Sequence, residues 1–167
     1  MSTIQTILYP TDFSSCSSQA FQLACSLARD YGARIIVLHV QLPPVIVYGE
    51  GVIPTDPLAY ARQLHAQLAD VKISDPRVQL EHRLIDGDAA TEILRLADEK
   101  KCDLIVMGTH GRTGLGRLLM GSVAEEVVRK AKCPVLTLRC ALPSAAPLPS
   151  TSSGTASDND VAKLCNA

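Results

Sequence analysis

Basic charge is scarce in this sequence. Its 167 residues carry 16 Lys and Arg against 17 Asp and Glu, a formal net charge of −1. Asp158, Asp160 and Lys163 account for the imbalance, so residues 1–140 are formally neutral. No excess positive charge exists to hold the chain on nucleic acid or an anionic membrane surface. Long apolar runs are also missing; none approaches the roughly 20 residues needed to cross a bilayer. The start, Met1-Ser2-Thr3-Ile4-Gln5-Thr6, has neither the basic segment nor the apolar block of a secretory signal. Cys165 stands third from the end, out of position for prenylation. Neither nucleic acid nor membrane is expected as a partner.

Paired cysteines are absent as well. The six, at 16, 25, 102, 133, 140 and 165, form no C-x-x-C pair and no zinc-ligand spacing with histidine. Most fall inside helix or strand patterns, where a free cysteine acts as a small hydrophobe. Reduced thiols in a cytoplasm are therefore expected, not a disulfide framework. Cys16 sits near a helix start, where a thiolate is favoured, although a packed thiol fits the position too.

What is present is a globular balance, 47% hydrophobic and 20% charged, long enough for one domain with a sizeable core. Apolar runs alternate with helical patterns. Ile7-Leu8-Tyr9 reads as a strand closed by Pro10. Ala20, Ala24, Leu27 and Tyr31 recur at helical spacing from Ser14 to Tyr31, and Gly32 ends that helix. Ile35 to Val40 is a near-continuous apolar run, the mark of a parallel strand covered on both faces. A Pro/Gly-rich loop from Pro43 to Pro57 precedes a helix carrying Leu58, Ala61, Leu64 and Leu68. Val78 to Ile85 alternates as a weaker strand, and Asp88 is placed to cap a helix bearing Ile93, Leu96 and Ala97. Leu104 to Met107 is another buried strand. Ser122-Val123-Ala124-Glu125 has the form of a capping box opening a helix to about Lys132, and Val135 to Leu138 closes the pattern.

Strand–helix repeated four times plus a last strand predicts an open five-stranded parallel α/β sheet, Rossmann-like, with helices on both faces. The domain is expected over residues 1–140. Residues 141–167 are rich in Pro, Ala and Ser, then small and polar, and are expected to be a disordered tail, with a weak helical signal at Val161 to Cys165.

In such sheets ligands sit beyond the carboxyl ends of the strands, where strand order reverses. Three segments should meet there: Pro10-Thr11-Asp12, His39-Val40-Gln41, and the loop opened by Met107-Gly108. That loop has the spacing Gly108-x2-Gly111-x9-Gly121-Ser122. Glycines between a buried strand and a helix start let backbone N–H groups approach a phosphate, and the helix start adds partial positive charge. Asp12 is an acceptor for ribose hydroxyls or the adenine amine, or else a cap for the first helix. Val40 offers its backbone to an adenine edge and its side chain to the ring. Amides at Gly111, Gly121, Ser122 and Val123 suit phosphates. Ser122 adds a hydroxyl or serves as a helix cap, and Arg112 and Arg117 carry charge that is either solvated or turned to phosphate. His110 reads as a loop histidine rather than a catalyst, and His39 as a strand-end residue.

These residues resemble the universal stress proteins. The resemblance rests on Tyr9-Pro10-Thr11-Asp12-Phe13-Ser14, on Asp103-Leu104-Ile105-Val106-Met107-Gly108-Thr109-His110-Gly111-Arg112, on Gly121-Ser122-Val123 and on Lys132-Cys133-Pro134-Val135. It spans about residues 3 to 139. It implies the fold shared with the adenine nucleotide alpha hydrolases and, from the complete G-x2-G-x9-G-S pattern, binding of ATP, with Mg2+ or Mn2+ held by the phosphates. It implies cofactor contacts from Pro10, Thr11, Asp12, Val40, Met107, Gly108, His110, Gly111, Arg112, Gly121, Ser122 and Val123. It also implies a homodimer through the edge strand Val135 to Leu138, where exposed strand edges need pairing, and a protein partner in a cytoplasmic stress response.

No lysine follows the glycines, so this is not the G-x-x-x-x-G-K-[S/T] loop of fast NTPases, and hydrolysis is expected to be slow at most. A nucleotide-independent dimeric interaction protein is the alternative. An adenylating enzyme fits poorly, because Pro10-Thr11-Asp12-Phe13-Ser14 lacks the glycine of a pyrophosphate loop. A phospho-receiver fits worse, lacking an acidic pair near the first strand.

Overall fold

The structure, a computed structural model, describes residues 4–42, 57–73, 75–109 and 120–139. The elements run β1 (Thr6–Pro10), α1 (Ser15–Tyr31), β2 (Arg34–Gln41), α2 (Pro57–Ala69), β3 (Leu80–Asp86), α3 (Ala89–Glu99), β4 (Leu104–Gly108), α4 (Ser122–Lys130) and β5 (Val135–Leu138). They form one five-stranded sheet in the order β3-β2-β1-β4-β5, with every pairing parallel. Leu8 of β1 lies beside Ile36 of β2 and Ile105 of β4. The chain thus builds outward from β1 to β3, then returns to add β4 on the other side of β1. The order reverses between β1 and β4.

The side-chain period of two divides the core between the faces. Ile7, Tyr9, Ile35, Val37, Leu104 and Val106 pack under Ala20, Ala24 and Ala28 of α1 and Leu68 of α2. Leu8, Ile36, Leu38, Ile105 and Met107 pack under Ile93 and Leu96 of α3 and Ala124 and Val127 of α4. Burial on both faces is why the central strands read as continuous apolar runs rather than alternating ones. Each large side chain removed from water contributes about 1.5–3 kcal/mol. The alanines of α1 let that helix approach the sheet closely.

Most helix ends fall where turn chemistry puts them. Ser14 caps α1, its hydroxyl accepting from Ser17 N, and Gly32 closes the helix at φ 68°, a left-handed conformation suited to glycine. Asp88 caps α3 by accepting from Thr91 N at 3.0 Å. The start of α4 departs from expectation. Glu125 N–H bonds to Gly121 O at 2.9 Å, so the ladder begins on the Gly121 carbonyl and Gly121 is the cap. Ser122 is the first helical residue, the Ser122–Glu125 capping box does not form, and α4 ends at Lys130.

The cysteines also depart in part. Cys25, Cys102 and Cys133 are free thiols. Burial pushes Cys25 up to about 11 and Cys102 up to about 12, so both stay protonated at neutral pH. Cys16, expected to be reduced, is disulfide-bonded. Cys16 lies in the first turn of α1, with its Sγ 3.7 Å from the carbonyl oxygen of Leu138 in β5. Among the described residues no helix is long and apolar enough to cross a membrane. The loop 43–56, the glycine segment 110–119 and residues 140–167, including the expected tail, lie outside the described residues.

Candidate functional site

A cavity of about 220 Å³ opens at the carboxyl ends of β1, β2 and β4, where the strand order reverses. Each wall comes from a different element. The end of β1 and the turn after it supply Pro10, Thr11 and Asp12. The end of β2 supplies Leu38, His39 and Val40, facing Ala89 and Ile93 from the start of α3. The end of β4 supplies Met107, Gly108 and Thr109, and the start of α4 supplies Gly121, Ser122, Val123 and Ala124.

Among the described residues Asp12 is the one carboxylate of the lining, and it is half-used. Its Oδ1 accepts from Ser14 N at 3.1 Å and from Ser14 Oγ at 2.7 Å, an Asx-type turn. Ser14, not Asp12, then caps α1. Two buried side-chain oxygens among the described residues have no partner, Asp12 Oδ2 and Gln41 Oε1, and of these only Asp12 lines the cavity. A buried acceptor left unpaired costs about 1–3 kcal/mol, which a donor from a ligand recovers. A hydroxyl or an amine fits that oxygen.

The turn carrying Asp12 is held by a buried polar network. Phe13 adopts φ 62°, unusual for a residue with a side chain. Its N–H donates to Thr11 Oγ1 at 3.1 Å, and its ring packs on His39 with centroids 4.4 Å apart. His39 Nδ1 lies 2.7 Å from Thr11 O. Thr11 Oγ1 and Tyr9 Oη each lie 2.7 Å from Ser17 Oγ, and Tyr9 Oη donates to Ser17 O at 2.8 Å. Burial raises the Tyr9 phenol above its ordinary value against the opposing pull of Ser17 and Thr11, so it stays a neutral donor. These interactions over-determine a turn that would otherwise relax.

The opposite wall is a stem. Thr109 N–H donates to Leu138 O at 2.8 Å, and Gly121 N–H donates to Thr109 O at 2.7 Å, fixing both ends of the glycine segment beside the cavity. Gly108 packs so tightly on Cys16 that a Cβ there would lie 3.1 Å from its Sγ. Gly121, the cap residue of α4, has no side chain to accept from the first N–H groups of the helix. Aliphatic walls from Val40 and Ile93 on one side, a carboxylate oxygen in need of a donor, and helical amides on the other side suit a flat apolar ring, a hydroxylated linker and an anion.

Of the site residues expected from sequence, Pro10, Thr11, Asp12, Val40, Met107, Gly108, Gly121, Ser122 and Val123 line this one cavity. His110, Gly111 and Arg112 lie outside the described residues, as does Arg117. Sequence reasoning missed Ser17, Ala89, Ile93 and Thr109 in the lining, and gave His39 no role there. Ile93 carried only a core signal, and Ser17 only that of a helical serine.

The family model described as the universal stress protein family matches residues 3–139. Universal stress protein MJ0531 of Methanocaldococcus jannaschii is 34% identical over 137 residues, covering 80% of this chain and 81% of that protein. Among solved structures, hypothetical protein MJ0577 superposes with TM-score 0.65 at 26% identity, over 84% of this chain and 99% of that one. A universal stress protein in complex with cAMP superposes with TM-score 0.55 at 28% identity, over 82% of this chain and 98% of that one. With the motifs, the sheet order and this breadth of similarity in agreement, the chain belongs to the universal stress protein family.

Proposed function

We propose that this chain is an ATP-binding universal stress protein, a nucleotide-dependent module of a cytoplasmic stress response that hydrolyses ATP slowly at most. The observation that carries the reading is the unpartnered Asp12 Oδ2, buried in a cavity that ends on the start of α4, where the cap residue is a glycine. Adenine lies between Val40 and Ile93, with the Val40 backbone on its edge. Asp12 accepts from the ribose hydroxyls or the adenine amine. The phosphates run toward the amides of Gly121, Ser122 and Val123, and the sequence pattern adds Gly108, His110, Gly111 and Arg112 to that end. Mg2+ or Mn2+ is carried by the phosphates rather than by a protein cage. The nucleotide complex of a relative, with cAMP, supports an adenine nucleotide as the ligand class. Slow chemistry follows from a phosphate loop without lysine, which supplies little stabilisation to charge developing at the γ-phosphate.

The proposed assembly is a homodimer through β5. This strand is a sheet edge, Leu136 on it is 37% exposed, and Val128 of α4 is 45% exposed. Pairing two copies covers both the edge and these side chains. Leu136→Glu should then shift the sedimentation of the protein from dimer to monomer.

Mass spectrometry of nucleotide released from freshly purified, denatured protein tests the ligand, together with equilibrium dialysis against ATP. Adenine nucleotide near one per chain is expected. No binding at millimolar ATP would overturn the reading and leave the alternative, a nucleotide-independent dimer that acts by contact through the same edge.

A further inference from the structure

We propose that a second cavity, at the amino ends of β4 and β5, is a thiol–disulfide exchange site in which Cys133 and Cys102 are oxidised as a pair by a small anionic disulfide. It lies at the other end of the sheet from the nucleotide cavity, and nothing in it depends on the ATP-binding reading.

The cavity has a volume of about 450 Å³ and opens where α3 and α4 end. Local backbone builds its thiol wall. Lys101 adopts φ 49°, a left-handed conformation uncommon for a residue with a side chain. After that turn Cys102 N–H donates to Ala97 O at 2.9 Å, and Cys102 enters the core, 6% exposed. Cys133 comes from the chain entering β5, packs against the same core cluster as Cys102 and is half-buried. Both are free thiols, and both line the cavity.

The strands bring the two thiols together. Ile105 pairs with Val135, and its N–H donates to Pro134 O at 3.0 Å. Carried back along both strands, this register sets Cys133 beside Asp103, one step from Cys102. Strands about 4.8 Å apart, rising about 3.3 Å per residue, put Cα atoms so placed about 6 Å apart, a separation that a disulfide spans. Burial, and then the neighbouring Cys133, push the Cys102 thiol up to about 12. Burial raises Cys133 as well, so exchange is slow, and it starts from the more exposed thiol, Cys133.

The walls choose the oxidant. Arg95, Lys101, Lys130 and Lys132 line the cavity with one carboxylate, Asp98. Arg95 is paired with Glu92 and Glu99, Lys130 with Glu126 and Lys132 with Asp98. Lys101 has no ion pair among the described residues, which leaves a positive charge for a carboxylate carried by the incoming disulfide.

The chemistry balances with that disulfide as oxidant. The Cys133 sulfur, giving up its proton, attacks one sulfur of the small disulfide and breaks its S–S bond. One small thiolate leaves and takes up a proton. Cys102, giving up its own proton, then attacks the Cys133 sulfur, the mixed disulfide breaks and the second small thiol leaves. The protein pair is oxidised by two electrons, and the small disulfide is reduced to two thiols. Excess small thiol reverses both steps.

The full chain, without nucleotide, is reduced, freed of reductant and treated with one of two disulfides. Glutathione disulfide carries carboxylates and is anionic; cystamine is cationic. Peptide mapping should find Cys102 joined to Cys133. Glutathione disulfide should form that bond at least about threefold faster than cystamine at low ionic strength. The difference should vanish in about 1 M salt and shrink in Lys101→Gln. Cys102→Ala should stop at the mixed disulfide, with one glutathione on Cys133 by mass. Cys102 that stays alkylatable in the treated parent overturns the proposal, and so does Cys133 joined to any other cysteine. Equal rates with the two disulfides overturn the choice of an anionic one. Mapping of the unaltered chain needs no variant, so it decides the pairing even if Cys102→Ala does not fold. A failure of ATP binding leaves each of these outcomes as it stands.

Discussion

Gly121 donates its N–H to the carbonyl of Thr109 across a gap of 2.7 Å, although eleven residues separate them in the chain. That single bond sets the mouth of the glycine segment at the width of a backbone pair. It also points the start of α4 at the cavity. Gly121 itself has φ −71° and ψ 154°, an ordinary extended conformation open to any residue. The backbone at this position therefore does not itself demand glycine. Gly121→Leu should fold with a thermal midpoint near that of the parent yet lose at least tenfold in ATP affinity, about 1.4 kcal/mol. Unchanged affinity in a calorimetric titration would show that this side of the cavity does not receive the phosphates.

Asp12→Asn separates the two jobs of the carboxylate. The amide keeps an oxygen for the Ser14 contacts at 2.7 and 3.1 Å, so the turn should survive. It puts an NH2 group where the unpaired Oδ2 stood, and a donor now meets the ligand's donor. Affinity for ATP should fall by about 1–3 kcal/mol, while the midpoint without nucleotide changes little. A variant that binds as tightly as the parent would remove Asp12 from the site.

Beneath the cavity, Ser17 accepts or donates in both 2.7 Å contacts that tie Tyr9 to Thr11. Ser17→Ala leaves the Thr11 hydroxyl without that partner, while Tyr9 keeps the Ser17 carbonyl. Chemical denaturation should show a loss of about 1–2 kcal/mol, with an unaltered slope because the surface exposed on unfolding is the same. A neutral result would mean that the hydroxyl chain adds nothing to the turn.

The acid limb of stability should carry a contribution from Asp88. Its carboxyl is held below the ordinary 3.8, first by the Thr91 backbone N–H and then by the Thr91 hydroxyl. A carboxylate with a depressed value in the folded state stabilises fully above its unfolded value. That stabilisation fades as pH falls through the folded value. The midpoint of Asp88→Ala should therefore lie below the parent's at pH 6, and the gap should narrow steadily below pH 4. A gap that stays constant down to pH 2 would show that the cap works without its charge.

The order of elements was legible because burial writes itself into composition. Ile35 to Leu38 must be apolar throughout if both faces of β2 are covered, and residues 20, 24 and 28 must be small for α1 to lie close to the sheet. Gly32 and Asp88 were legible because a left-handed residue and an exposed cap each demand a particular chemistry. The start of α4 was misread, since Ser122 and Glu125 satisfy the capping pattern while the ladder begins one residue earlier, on Gly121. Ser17 and Ile93 were invisible as lining residues, because a helical serine and a core isoleucine look the same wherever the helix is set down.

The sequence by itself determined the alternation of strands and helices, the apolar faces, and the glycine spacing with Asp12 that marks the family. Such features follow from local periodicity and from the backbone demands of single residues. Only the tertiary structure decided that β4 returns to the flank of β1, that one oxygen of Asp12 is buried without a partner, and that Cys16 lies against the end of β5. Those relationships join residues up to 122 positions apart, and they exist only once the sheet has ordered its strands.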